Sequence, residues 1–234
     1  MAQGDRSWTH LKSDLFGRVE RGHSTEAEPS DTWPVDVVRR DTRCAPWWTR
    51  GLAYYLASRE AKALRAMQAQ MPALAEHSFP RVCSWKGGVL IRNWIHGEPM
   101  QVARPQDPEF HHQLLCLLAK LHRSGITHND LAKEPNFLVR HDGRPAIIDL
   151  QLGRVFRRRS AYFRLLARED LRHLLKHKRT YLPQRLTPRE HAILLKPSFP
   201  ARLWRRTGKK AYLWITRSVL GWSDREGAGD RNRR

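Results

Sequence analysis

Five residues between positions 128 and 149 bring together the side chains that acid–base and phosphate chemistry use: His128, Asp130, Lys133, Asn136 and Asp149. A carboxylate such as Asp130 can orient a hydroxyl and take its proton. An amide oxygen and a carboxylate together suit Mg²⁺, which takes one or two protein oxygens and completes its shell with water and phosphate. Asp142-Gly143 is a hairpin signal between Phe137-Leu138-Val139 and Ala146-Ile147-Ile148. If those two residues form the turn, paired positions sum to 285, and Asn136 faces Asp149. That would be a non-hydrogen-bonded pair with Cα atoms about 4.5 Å apart, both side chains leaving one face. Pro145, which has no N–H, falls where the ladder needs no donor. Asp and Asn are also ordinary turn and cap residues. It is the ordered set, not any one member, that points to a site.

The elements that must carry these residues can be read around them. Val35–Arg39 is β-branched and predicts a strand, as does Val89-Leu90-Ile91 after Gly87-Gly88. Residues 52–70 read as a helix with Leu56, Ala63, Leu64 and Met67 on one face. Asp107-Pro108-Glu109 is a helix start, and Gly125 ends that helix after Leu114, Leu117, Leu118 and Leu121. Residues 160–178 predict a second amphipathic, very basic helix, and residues 17–34 read as loop. Two carboxylates fall inside apolar stripes: Glu60, between Leu56 and Leu64, and Asp170, between Leu166 and Leu174. An unpaired inward carboxylate is costly, so each is expected to have a partner.

His128-Asn129-Asp130-Leu131, Asn136 and Ile148-Asp149-Leu150 resemble the catalytic loop and metal-binding segment of the protein-kinase-like superfamily. The absence of a long activation segment makes the chain most similar to RIO-type atypical kinases and to bacterial lipopolysaccharide-core (Kdo) sugar kinases. The resemblance implies an α+β, two-lobed fold, with a small β-rich N-lobe to about residue 97 and a mainly helical C-lobe from about 98. It implies ATP and Mg²⁺ as cofactors. Asp130 would orient the acceptor hydroxyl, Asn136 and Asp149 would hold Mg²⁺, His128 would buttress the loop and Lys133 would reach the transferred phosphate. Glu60 would pair with a basic residue on the preceding strand that holds the ATP phosphates; Arg39, or its neighbour Arg40, stands where a lysine is usual. Lys62 and Lys86 are alternatives. Asp170 would accept hydrogen bonds from the catalytic-loop backbone, and the backbone of Arg92-Asn93-Trp94-Ile95 would contact adenine.

The chain departs from the pattern in several places. The loop from Asp130 to Asn136 is one residue longer than usual, with Pro135 in it. Only Gly17 and Gly22, in the N-terminal segment 1–34, bracket a candidate phosphate loop, and no Ala-Pro-Glu motif follows Asp149. The expected activity is transfer of the γ-phosphate to a hydroxyl, of a protein serine or threonine or of a lipopolysaccharide-core sugar. A pseudokinase scaffold is the alternative from another class, favoured by arginine in place of the strand lysine.

Composition frames this. The chain has 234 residues, is 40% hydrophobic and carries a formal charge of +20. Residues 1–36 are net −3 and residues 154–217 net +16, a field that attracts an anionic surface: a membrane face, nucleic acid or a phosphorylated substrate. No apolar run approaches the roughly 20 residues that span a bilayer, and Met1–Asp14 has no apolar region of a secretory signal. Cys44, Cys83 and Cys116 form no C-x-x-C pair, which suits a reducing compartment. A cytoplasmic protein, peripheral at the inner face of the membrane, is expected, with one kinase-like domain over 35–220 and a disordered basic tail over 221–234. Gly208-Lys209 lacks the glycine of a P-loop. His173, His177 and His111-His112 read as surface histidines. Trp47-Trp48, Trp204 and Trp214 read as packing anchors, with a membrane-surface helix around 203–219 as the alternative for the last two.

Overall fold

The computed structural model describes residues 6–24, 34–72 and 77–196. Its N-terminal half is a five-stranded antiparallel sheet of β1 (Arg6–Asp14), β2 (Gly17–Ser24), β3 (Asp36–Asp41), β4 (Val82–Lys86) and β5 (Val89–Asn93), in the order β1-β2-β3-β5-β4. Helix α1 (Arg50–Gln70) connects β3 to β4. The strands turn where the sequence allows it. Gly87 and Gly88, both at positive φ, close β4 onto β5 in a two-residue turn. Leu15-Phe16 closes β1 onto β2, with Asp14 Oδ1 accepting from the Phe16 N–H at 2.8 Å. Gly17 follows at φ 117°, and a Cβ there would stand 2.2 Å from the Asp41 carbonyl oxygen.

Residues 17–24 are thus a strand, not the loop expected for 17–34; residues 25–33 lie outside the described residues. Gly17 and Gly22 belong to that strand and do not bracket a phosphate loop. Gly22 pairs with Trp8, whose ring occupies the space a Cβ would need.

The C-terminal half is helical with short strands. After β6 (Glu98–Pro99) and the one-turn helix α2 (Met100–Ala103) comes α3 (Pro108–Arg123). Asp107 caps it by accepting from the Glu109 N–H at 2.9 Å, and Gly125 leaves it at φ 70°. Strands β7 (Ile126–Thr127), β8 (Phe137–Val139), β9 (Pro145–Ile147) and β10 (Arg154–Val155) precede α4 (Ala161–Tyr181), capped by Ser160, and α5 (Pro188–Leu195), which starts with a Thr187/Glu190 capping box. One apolar core joins α1 (Leu64, Met67) to α3 (Leu114, Leu118, Leu121), the β7–β9 region (Ile126, Phe137, Ile147) and α4 (Leu174). The architecture is α+β, with an antiparallel N-terminal sheet and C-terminal helices, a layout compatible with two lobes. The expectations for the chain beyond residue 196, namely the rest of the 154–217 basic stretch, Trp204, Trp214 and the 221–234 tail, fall outside the described residues.

Candidate functional site

The segment 126–136 is fixed from below by α4. Asp170, 1% exposed, accepts the His128 N–H on Oδ2 and the Asn129 N–H on Oδ1, each at 2.8 Å. His122 Nε2 lies 3.2 Å from the same Oδ2. A carboxylate is suited to this because it accepts several hydrogen bonds at once, and charged acceptors make the stronger ones. His128 is fully buried; its Nε2 donates to the Ile148 carbonyl at 2.9 Å, so Nδ1 is free to accept from the Asp130 N–H at 3.3 Å. The imidazole therefore ties the 126–130 segment to the end of the β8–β9 hairpin, and the structure gives it a positioning place. Further along, His177 donates to the Leu131 carbonyl at 2.8 Å, and Tyr181 donates to Glu134 at 2.5 Å. His177 is buried, not a surface histidine; His111 is buried too, on the Pro105 carbonyl, and burial pushes His173 down to about 4.

Above this base, three of the expected residues meet. Lys133 Nζ lies 3.2 Å from Asp130 Oδ2, and Asn136 Nδ2 donates to the Asp130 carbonyl at 2.9 Å and to its Oδ2 at 3.3 Å. The 130–136 loop ends in a 3-10 turn over Glu134–Asn136, with Pro135 in its first turn. Burial raises the Asp130 pKa; Lys133 opposes this and the nearby Asp149 adds to it.

The hairpin register differs from expectation. Phe137 pairs with Ile147, Leu138 with Ala146 and Val139 with Pro145, so the sum is 284. The loop has three residues, His141 to Gly143, closed by Gly143 N–H to Arg140 O and Arg140 N–H to Arg144 O, with Gly143 at φ 74°. This is the three-residue hairpin whose last residue is left-handed. Pro145 still needs no donor, which is why that check could not separate the two registers. Asn136 accordingly faces Ile148, whose N–H it accepts at 2.9 Å, and is not the cross-strand partner of Asp149. Asp149 leaves the ladder in the left-handed conformation, φ 66° and ψ 65°. Its charge acts on both Asp130 and Glu60. Asn129, at φ 66°, is the other left-handed non-glycine residue here, and such backbone clusters at working sites.

Asn136 uses its amide N–H₂ toward Asp130, which leaves Oδ1 as an acceptor. Asp149 Oδ1 is buried with no hydrogen-bond partner among the described residues. An orphaned carboxylate oxygen beside a second carboxylate fits a hard divalent cation. Among the described residues, no three His, Cys, Asp or Glu side chains form a metal cage. With so few protein oxygens, such a cation would need ligands from outside the protein to complete its shell.

The sheet supplies the opposite wall, with one correction. Arg39 faces away: its guanidinium holds Glu20 through Nε at 2.9 Å and Nη2 at 2.6 Å and stacks 4.0 Å from the Trp8 ring. Strand alternation puts Arg40 on the other face, where its charge acts on Glu60. The residue ion-paired to Glu60 is one the sequence reading did not assign, Arg92 of β5, whose Nε lies 3.2 Å from Glu60 Oε1. That Oε1 is nevertheless buried without an aligned hydrogen bond among the described residues. Burial of Glu60, 1% exposed, raises its pKa, with the charges of Arg92 and Arg40 acting against it. Lys62 and Lys86 are exposed and do not take this place. The Asn93 and Trp94 N–H groups already serve the Arg81 and Asp36 carbonyls, so they are not available to a base. A small second cluster of Ile95, Leu138 and Ala146, with Ile148 against it, lies between the sheet's exit and the hairpin.

Arg59 connects the walls, donating to the Leu152 carbonyl at 2.9 Å and to the Gly153 carbonyl at 3.0 and 3.2 Å. Asn129 Nδ2 also reaches the Leu152 carbonyl, at 2.7 Å. On the basic side, Arg157, Arg158, Arg159, Arg164 and Arg168 are exposed, whereas Arg172 and Lys178 are consumed by Glu169 and Glu190. No helix among the described residues is long and apolar enough to cross a membrane. No protein-family model matches the chain, and neither does any curated protein.

Proposed function

We propose that the protein is an ATP- and Mg²⁺-dependent phosphotransferase of the protein-kinase-like superfamily, moving the γ-phosphate to a hydroxyl. The observation that carries this reading is Asp170 holding the backbone of His128 and Asn129 from below while Asp130, Lys133 and Asn136 converge above, with Asp149 beside them. The sheet order supports it, and the Glu60–Arg92 ion pair stands in for the pair to the preceding strand that the resemblance implies.

Asp130 orients the incoming hydroxyl and takes its proton. Burial, which raises its pKa, makes it a better base once ionised. Lys133, partnered with Asp130, neutralises charge on the transferred group. Asn136 and Asp149 would hold Mg²⁺, which supplies neutralisation of the phosphate oxygens. Arg40 and Arg92, with Glu60 between them, hold the phosphate end of the nucleotide in place of a strand lysine. Adenine lies against Ile95, Leu138 and Ile148. The exposed arginines from Arg154 onward draw in an anionic acceptor or surface.

The acceptor is a protein serine or threonine. A sugar hydroxyl of a lipopolysaccharide core is a second reading, favoured by the short connection from Asp149 to α4, which holds a 3-10 turn and a two-residue strand. Incubation with labelled ATP, candidate proteins and core oligosaccharide separates the two: label on sugar alone overturns the first. Nucleotide-dependent thermal shift comes before it; no shift at millimolar ATP with Mg²⁺ leaves a scaffold instead of an enzyme. Asp130→Ala is expected to keep the shift and lose transfer, and Asp149→Ala to lose the Mg²⁺-dependent part of the shift. Unchanged turnover in Asp130→Ala protein would refute the assignment.

A further inference from the structure

Trp47 and Trp48 stand outside. Trp47 is 84% exposed and Trp48 52%, and Leu52, Tyr54 and Tyr55 are about half exposed beside them. The turn that carries the indoles is pinned. Ala45 and Thr49 on either side are buried, the Thr49 and Arg50 N–H groups return to the Pro46 carbonyl, and the Thr49 hydroxyl donates to the Leu15 carbonyl at 2.5 Å. A packing anchor would point inward, as these small neighbours do; the fold holds both indoles out.

The charge left over around them has one sign: Asp14, beside the Leu15 that Thr49 touches, is already paired with Lys12 at 3.2 Å. Residues 42–58 contain no Asp or Glu. Arg50 and Lys86 are exposed and carry no ion pair among the described residues, while Arg43 is tied to Asp41 at 2.7 Å. Tyr54 packs on Trp85, 5.1 Å between ring centres, which joins the β4–β5 turn with Lys86 to the patch. A second copy related by a two-fold axis would set these cations against each other. Exposed tryptophan and tyrosine rimmed by arginine and lysine match the boundary of an anionic bilayer, where rings sit at headgroup depth and cations meet lipid phosphate.

We propose that the α1 N-terminal patch, Trp47, Trp48, Leu52 and Tyr55 with Arg50 and Lys86, docks the protein on an anionic membrane surface. This does not depend on the phosphotransfer reading. The test is sedimentation of the full chain with vesicles of phosphatidylcholine alone or mixed with phosphatidylglycerol. Trp47→Ser/Trp48→Ser should lower the partition coefficient on mixed vesicles about tenfold, and Arg50→Ala/Lys86→Ala roughly fivefold per residue. Brominated lipid should quench tryptophan fluorescence of the wild type more than that of Trp47→Tyr/Trp48→Tyr, a variant that keeps the ring character and the fold. Equal partition of the serine variant and the wild type, or equal quenching of the tyrosine variant, overturns the proposal and leaves binding to the basic C-terminal stretch. Equal wild-type partition onto neutral vesicles also overturns it, as does a concentration-dependent dimer that these substitutions abolish.

Discussion

Glu60 and Asp170 occupy matching places and meet different fates. Each sits in the apolar stripe of a helix of 21 residues, and each is 1% exposed. Asp170 is satisfied: two backbone N–H groups and an imidazole converge on it. Glu60 is not; among the described residues its Oε1 lies near the Arg92 guanidinium without an aligned hydrogen bond, and Asp149 adds a second negative charge nearby. A buried carboxylate that is fully bonded is a fixed support, and one left short of partners is a place where a ligand's cations or a conformational change can act. The C-terminal base is complete as it stands, whereas Glu60 on the wall facing it keeps an acceptor oxygen to spare among the described residues.

Substitutions can test this contrast. The largest effect is expected at the base: Asp170→Ala leaves the buried His128 N–H and the half-buried Asn129 N–H unpartnered and should cost about 2–4 kcal/mol in denaturant unfolding. A loss below about 1 kcal/mol would show that Asp170 is no anchor. Next is Asp130→Asn, which should lower phosphate transfer by about 10²–10⁴-fold while raising the melting temperature at neutral pH. The folded-state pKa of Asp130 is raised, so its contribution to stability is present at low pH and lost as pH rises. The gain from asparagine should therefore shrink as pH falls toward the ordinary 3.8.

Glu60→Gln follows the same sign, with the stability gain disappearing below the ordinary 4.5, but here the functional readout is a raised KM for ATP. Arg40→Ala should raise that KM about tenfold, a charge-assisted contact's worth. Smallest is Arg39→Ala, which removes a partly exposed ion pair and a ring contact. It should cost about 1 kcal/mol of stability and leave turnover unchanged. If Arg39 and Arg40 exchange these effects, the two faces of β3 have been assigned the wrong way round.

The sequence marks some of this clearly and hides the rest for identifiable reasons. Asp107 and Gly125 bound α3 because capping chemistry is local, and Glu60 and Asp170 stand out because a carboxylate breaks an apolar stripe. Arg39 and Arg40 could not be told apart because both faces of β3 are covered: Val37 and Val38 are each buried, so alternation carries no polarity signal. Strand β2 was obscured by Arg18, Glu20 and Arg21, whose charges are spent on neighbouring strands or exposed at the sheet surface. The hairpin slipped by one because a left-handed glycine serves a two-residue turn and the end of a three-residue loop equally well. Arg92 had one usable sign, a lone cation leaving an apolar strand at the parity that faces α1. The outward indoles had none, since burial of tryptophan is decided by tertiary contacts.

Arg59 carries one more implication. Its guanidinium spans from α1 to the carbonyls just beyond Asp149, and Asn129 grips one of the same carbonyls. Swinging α1 outward would tear that rivet, so Glu60 and Asp149 travel together or not at all.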